Sequence, residues 1–430
     1  MSYRIAAIDV HKKMLAVVIA DVAVSGEYQF ERRKFGATPE NLRLLAEWLT
    51  EQAVQEVVME STAQYWKPVW SALERHWKPT CQKRADAGPK SGSLHLAQAH
   101  SNRGPQGRKR DFPDAERLLK RLVAQELRLS FVPDPQQRLW RAATRCREQL
   151  TNARVRLHNQ IEALLEVMGI KLSSLVSDLL GASGARMLHA LAEGASDPAA
   201  LAALADRRLR ATPEQLSDAL GACAELKPVY RRLLKMALEE LELLDRHIAD
   251  LDKEIASLLK PHQDAVERLA EVPGLRALSA HQIIAEVGPE AEVFPSSKCL
   301  SSWIGCCPGE QESAEQSTSS RSPKGNCHMR RILNQAAHAA VKVKGSIFEV
   351  AFRRLRARGM KYQEAIWALA HRMARVVWII LHRKRRYEER GPSVSAQSKR
   401  THAARMVRDL RKLGYRIEPP TPTGPVANIA

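Results

Sequence analysis

A chain of 430 residues, 44% hydrophobic and 27% charged, has the material for roughly two or three soluble domains and is neither fibrous nor low in complexity. Its 67 lysines and arginines against 48 acids leave a net charge of +19 and an isoelectric point near 9.8, which points to a polyanionic partner. The N-terminus lacks a basic lead and cleavage site, the longest apolar run near the C-terminus (376–381) is too short for a bilayer, and the seven cysteines form no Cys-x-x-Cys pair, so a membrane protein, a disulfide-stapled secreted domain and a common zinc site are not expected.

In chain order, apolar runs at 3–8, 14–21 and 28–35 predict three strands in an antiparallel meander. Pro39 opens a helix with Leu42, Leu44, Leu45, Trp48 and Leu49 on one face. Val57, Val58 and Met59 predict a buried strand ending at Glu60, and 65–76 a helix. Residues 83–110, rich in Gly, Ser, His, Pro and basic side chains, read as a loop, after which a helix begins at Asp111. Long helices follow at 136–169 and 228–260. The second keeps a 3-4 apolar spacing from Leu234 through Leu241, Ile248 and Ile255 to Leu258, a heptad seam. An Ala-rich helical insertion, about 172–224, separates them. Beyond Leu269 come short helices, a loop at 308–328, helices at 329–357 and 361–386, and a basic, partly disordered tail at 391–430. The domains expected are 1–135, 136–262, 263–390 and that tail.

Asp9 ends the first strand and Glu60 the fourth, so two carboxylates at neighbouring strand tips can converge. Asp111 and Asp114, three apart at a helix start, share a face. Four such acids repel unless cations lie between them, and hard divalent ions suit oxygen ligands. The same positions also suit a helix N-cap (Asp111), a first-turn acid (Asp114) and a surface strand end (Glu60), and spacing does not choose. Further on, Pro273-Gly274 lies within a helix–hairpin–helix-like segment whose turn suits a DNA phosphate, or is an ordinary tight turn.

The strand–Asp–hairpin opening, Met59-Glu-Ser-Thr and Arg108-Lys-Arg-Asp-Phe-Pro-Asp resemble the DEDD-type insertion-sequence transposases, a family related to the pilin-gene invertases. The resemblance runs over nearly the whole chain. The insertion segments starting at Gly181 and Leu216 are similar to one branch of the family. The resemblance implies an α/β ribonuclease-H-like (RuvC-like) N-terminal domain, coiled-coil helices and a mainly α-helical C-terminal transposase domain. It implies that Asp9, Glu60, Asp111 and Asp114 bind Mg²⁺ (or Mn²⁺), and that the nucleophile is Ser313, although Ser317, Ser319, Ser320 and Ser322 follow closely. Gly274, Lys324, Asn326, Arg330 and Arg331, with Arg108, Lys109 and Arg110, are the residues expected against nucleic acid. A bridge RNA that pairs with DNA, assembly into homodimers or homotetramers, and action in the bacterial cytoplasm on the nucleoid are also implied. The chain departs from the family pattern at Arg110, where threonine is usual, at Pro113, and at Glu315-Gln316-Ser317, where glycine and a base are usual. A site-specific invertase, a metal-dependent junction nuclease and a non-enzymatic scaffold are the alternative functions.

Overall fold

A computed structural model describes residues 3–23, 27–61, 63–82, 92–99, 111–307, 311–313, 316–319, 322–389, 403–408 and 410–411. The chain divides into two compact units, Met1–Asp134 and Pro135–Ala430.

The first unit is built on a six-stranded sheet. β1 (Arg4–Val10), β2 (Met14–Asp21) and β3 (Glu31–Gly36) form the expected antiparallel meander, with Arg4 opposite Asp21 and Val10 opposite Leu15. The third strand starts at Glu31 instead of Tyr28. It forms a sheet edge, and its exposed run Glu31-Arg-Arg-Lys is the charged edge that discourages pairing with other chains. α1 (Pro39–Glu51) then crosses to β4 (Val54–Glu60), which pairs parallel to β1. α2 (Trp66–His76) and α3 (Lys78–Gln82) precede β5 (Ser93–Ala97), parallel to β4. α4 (Asp111–Val123) leads to a short β6 (Leu129–Ser130), giving the order β3-β2-β1-β4-β5-β6. β5 corrects the reading of 83–110 as loop throughout. Its Ser-Leu-His-Leu-Ala alternates polar and apolar residues, but over only five positions in a stretch otherwise rich in Gly, Ser and basic side chains, and Leu96 is buried.

Both faces of this sheet are covered, so β1 and β2 read as unbroken apolar runs rather than alternating ones. Ile8, Leu15, Val17 and Val57 pack with Leu45 and Leu49 of α1 and Leu73 of α2. Ile5, Ala7, Val18 and Val58 pack with Ala115, Leu118 and Leu119 of α4. Asp9 and Glu60 follow in the same period-2 phase and therefore lie on the α4 side.

In the second unit, α5 (Pro135–Val167) is followed by α6 (Ala182–Ala192), α7 (Pro198–Ala202) and α8 (Pro213–Ala219), then by α9 (Pro228–Leu258). The ion pairs Arg147–Asp252 and Arg154–Asp245 run in opposite sequence directions, so α5 and α9 pack antiparallel within one chain. Leu234, Leu241 and Ile255 of the predicted seam are buried. The insertion helices bury Met187, Leu188, Leu191 and Leu216 against Ile161 and Leu165 of α5 and Leu238 of α9.

The remaining helices are α10 (Gln263–Ala270), α11 (Ala277–Val287), α12 (Ser297–Ile304), α13 (Cys327–Ala340), α14 (Ile347–Ala357) and α15 (Tyr362–His382). Leu369, Met373, Val377 and Ile380 of α15 enter one core with Ile283 and Ile284 of α11 and Leu333 and Ala337 of α13. The apolar stripe of α15 is thus core packing. Between α12 and α13 the expected loop contains a small hairpin, β7 (Gln311–Ser313) with β8 (Gln316–Ser319). Its residues are almost all polar, so no apolar alternation announced it. No helix among the described residues is long and apolar enough to cross a membrane.

Candidate active site

The structure places the predicted acids at one end of the first sheet, with Asp9 and Asp111 within metal-sharing distance and Glu60 and Asp114 near enough to act on Asp9 as negative charges. Met59 lies beside Ile8 in the β1–β4 register, so Glu60 and Asp9 leave adjacent strand tips. α4 starts over this end and delivers Asp111 and Asp114 in its first turn. Pro113 is compatible with that start, because the first turn of a helix has no intrahelical use for its N–H groups. Asp111 also brings a cation to the cluster, with Lys34 Nζ at 3.1 Å. Arg117 meets Asp114 at 2.8 Å. His11, which sequence reasoning passed over, sits between two of the acids: its Nε2 is 3.0 Å from Asp9 Oδ2 and 3.5 Å from Asp111 Oδ1. One ligand atom each from Asp9, His11 and Asp111 falls within 4.8 Å of the others. The signal for His11 was its position two residues after Asp9, which returns a strand-like chain to the same face.

Burial pushes the Asp9 carboxyl above its ordinary pKa. His11 lowers it, and the negative charges of Asp114 and Glu60 raise it further. Burial therefore leaves Asp9 reluctant to ionise even with His11 beside it, while Lys34 and Arg117 are paired with Asp111 and Asp114, and the oxygen-rich donor set at this end of the sheet fits a hard divalent cation.

In the second unit, Ser313 ends β7 and pairs with Gln316 across the hairpin. The base of that hairpin is held tightly. A Cβ on Gly325 would lie 2.2 Å from the Ile304 carbonyl oxygen, and one on Gly305 would lie 2.6 Å from that of Pro323. Gly305 also adopts φ +72°, so two glycines let the chain segments cross. Trp367 Nε1 donates to Ser322 Oγ at 2.7 Å.

Two family models match this sequence. One, for transposases of the DEDD type, covers residues 6–170; the other, described as transposase of the IS116/IS110/IS902 family, covers 266–351. The chain belongs to the IS116/IS110/IS902 transposase family. It is 25% identical over 287 residues to a probable family 20 transposase of Pseudomonas aeruginosa, covering 65% of this chain and 74% of that one. It is 26% identical over 286 residues to the transposase for insertion sequence element IS1111A of Coxiella burnetii, covering 65% and 68%. A transposase acts on DNA, so DNA is its substrate, and the DEDD-type domain suggests dependence on a divalent metal.

Within this transposase, the residues expected against nucleic acid fall into three groups. Arg108, Lys109 and Arg110 lie outside the described residues. Lys324 is exposed. The other four are engaged by the protein. A Cβ on Gly274 (φ +88°) would lie 2.2 Å from the Ala336 carbonyl oxygen, so this glycine is required for packing on α13. Asn326 caps α13 by accepting from Met329 N at 2.9 Å, and its Nδ2 donates to Glu286 Oε2 at 3.1 Å. Arg330 donates to the Gly305 and Pro323 carbonyls and stacks 4.4 Å from the centre of the Trp367 ring. Arg331 meets Glu148 Oε1 at 2.6 Å.

These contacts expose a buried network that sequence reasoning missed. Glu286 of α11 is only 2% exposed and accepts a two-pronged pair from Arg145 of α5, at 2.7 and 2.9 Å. Burial alone would raise its carboxyl, but Arg145, Arg141 and Asn326 hold it below the usual carboxylate range. Glu148 of α5 accepts from both His328 and Arg331 of α13. The start of α13 is therefore tied to α5 and α11 by ionic contacts, and with it the base of the Ser313 hairpin.

Proposed function

We propose that this insertion-sequence transposase cuts and rejoins DNA through a phosphoserine intermediate on Ser313, with Mg²⁺ or Mn²⁺ held by Asp9, Glu60, Asp111 and Asp114. The observation that carries the reading is the convergence of these acids from β1, β4 and α4 around a carboxyl whose pKa is raised. A divalent cation bound there would supply Lewis acidity to a phosphoryl oxygen and favour a deprotonated nucleophile. His11 stands beside Asp9 and Asp111 and adds an imidazole nitrogen, which widens the donor set toward Mn²⁺. In the second unit, Ser313 Oγ would attack phosphorus as one sugar oxygen leaves, and the ester so formed keeps the energy of the broken bond for rejoining. Lys324, exposed at the foot of the hairpin, would bind the phosphate. Asn326, Arg330 and Arg331 would act by holding that hairpin in place.

The sheet order β3-β2-β1-β4-β5 supports a ribonuclease-H-like reading of the first unit. The antiparallel α5–α9 pair supports a coiled-coil arm, and assembly into dimers or tetramers through it is what the family resemblance implies. The net charge of +19 suits a polyanionic partner, and the family resemblance implies a structured bridge RNA alongside DNA, in the bacterial cytoplasm and at the nucleoid.

A metal-dependent junction nuclease is the second reading, because all four acids lie within Met1–Asp134 and need no serine. Cleavage of DNA spanning the element junction tests the metal assignment. It is expected to require Mg²⁺ or Mn²⁺ and to disappear in Asp9→Ala, Glu60→Ala, Asp111→Ala and Asp114→Ala. Cleavage that persists in EDTA would remove the cation from the account.

A further inference from the structure

The helical insertion has a charge pattern unlike the rest of the chain. Over residues 172–226 acids outnumber arginines seven to four, in a protein of net charge +19. Three of those four arginines nevertheless fall together, at 207, 208 and 210. All three are exposed, and none of their guanidinium groups has a partner among the described residues. Arg145, Arg147, Arg154 and Arg231 of the same unit, by contrast, are each held by an acid or by carbonyls.

The loop that displays them is fixed from beneath. Arg186 of α6 donates from Nε to the Leu204 carbonyl at 3.0 Å, and Ser183 Oγ accepts from Asp206 N at 2.9 Å. Asp206 in turn uses Oδ1 to accept from Arg208 N at 2.9 Å, and its carbonyl accepts from Leu209 N. A reciprocal cap between Thr212 and Gln215 secures the exit into α8. Arg208 and Arg210 line a surface cavity of about 620 Å³ whose other side is the serine-rich turn with Ser173, Ser174 and Ser177. The Ser174 hydroxyl bonds the Lys171 carbonyl at 2.7 Å, so that turn is also held.

Unpaired guanidinium forks facing hydroxyl groups across a cleft are the donor set for phosphate oxygens, and rigid backbone on both sides lowers the cost of ordering them. Regions 6–170 and 266–351, matched by the family models, flank this cleft without including it. We propose that the cleft between Ser173–Ser177 and Arg208–Arg210, with the exposed Arg207 next to it in the chain, binds the phosphodiester backbone of a nucleic acid. It adds contacts outside both proposed catalytic centres and does not depend on how strands are cut. The net charge of +19 and the DNA substrate of the family favour a phosphodiester over an acidic peptide here.

The test uses the full chain in a Ser313→Ala background, so that strand chemistry plays no part. Binding of a fluorescein-labelled 30-base-pair DNA duplex and of a labelled RNA hairpin is followed by anisotropy from low to high KCl. The triple variant R207Q/R208Q/R210Q is compared with K235Q, whose lysine is already paired with Glu193. The triple variant is expected to bind on the order of tenfold more weakly at low salt and to lose about 2 from the log–log salt slope, since each phosphate contact contributes about 0.7–0.9. K235Q is expected to match the parent. Loss for one probe alone assigns the site to that nucleic acid, and loss for both assigns it to the shared backbone. Unchanged slopes for both probes, or equal loss in K235Q, would overturn the proposal. Ultraviolet cross-linking of the parent chain gives a readout free of variants: adducts should map to 173–177 or 207–210, and cross-links confined to other regions would also overturn it.

Discussion

Asp9 is placed where burial and the charges of Glu60 and Asp114 both oppose its ionisation, with His11 as the compensating neighbour. At neutral pH a carboxyl whose folded pKa is raised costs stability, because its contribution is fully present only below the unfolded value and is lost as pH rises through the folded one. Asp9→Asn should therefore melt on the order of 2 °C higher than the wild type without divalent cations, and should lose the upward shift that Mn²⁺ gives the wild type. Calorimetry with and without Mn²⁺ checks both signs, and an Asp9→Asn protein still stabilised by Mn²⁺ would take Asp9 out of the ligand set. The position of the four acids at strand tips and a helix start was legible, but spacing left their role open and only the family resemblance implied a metal set. His11 was less so, since a lone histidine after a strand has no spacing partner until Asp111 arrives from a helix 100 residues later.

At the scale of helices, Glu286 joins α5, α11 and α13 through Arg145, Arg141 and Asn326. Its depressed pKa gives stability that is present above about pH 4.3, the unfolded value for glutamate, and is lost as pH falls further through the folded pKa. Glu286→Gln leaves Arg145 buried beside an uncharged partner and should cost about 3 kcal/mol at neutral pH in urea unfolding, with the deficit shrinking toward pH 3. A deficit independent of pH would mean that packing, not charge, holds these helices. Gly325→Ala tests the hairpin base. Its Cβ would be forced against the Ile304 carbonyl, so reaction at Ser313 should be lost while Mn²⁺ still stabilises the first unit. Full strand-joining activity in Gly325→Ala would show that the crossing of 305 and 325 does not matter. β1, β2, β4 and the two long helices were readable because their apolar periods are long. β5 was not, because its alternation lasts only five residues, and the β7–β8 hairpin was not, because backbone pairing between short polar segments leaves no mark in side-chain order. The Glu286 network was equally silent: Arg145 and Glu286 are 141 residues apart, and only the fold brings them together.

For the whole molecule, an excess of positive charge and a carboxylate centre have opposite tasks. The net +19 attracts polyanions, whereas the acid cluster repels them until a cation intervenes. The account assigns the acids to Met1–Asp134 and the nucleophile to Pro135–Ala430, so chemistry at one phosphate needs both units. The measurement that tests this most directly is covalent trapping. The protein is purified with RNA from the flanks of its insertion sequence, incubated with Mg²⁺ and DNA spanning the element junction, denatured, and digested for mass mapping of the adducted peptide. The account predicts a DNA adduct on Ser313 that is lost in both Ser313→Ala and Asp9→Ala. Mg²⁺-dependent cleavage that leaves no adduct and survives Ser313→Ala would contradict it and establish a water-using nuclease instead.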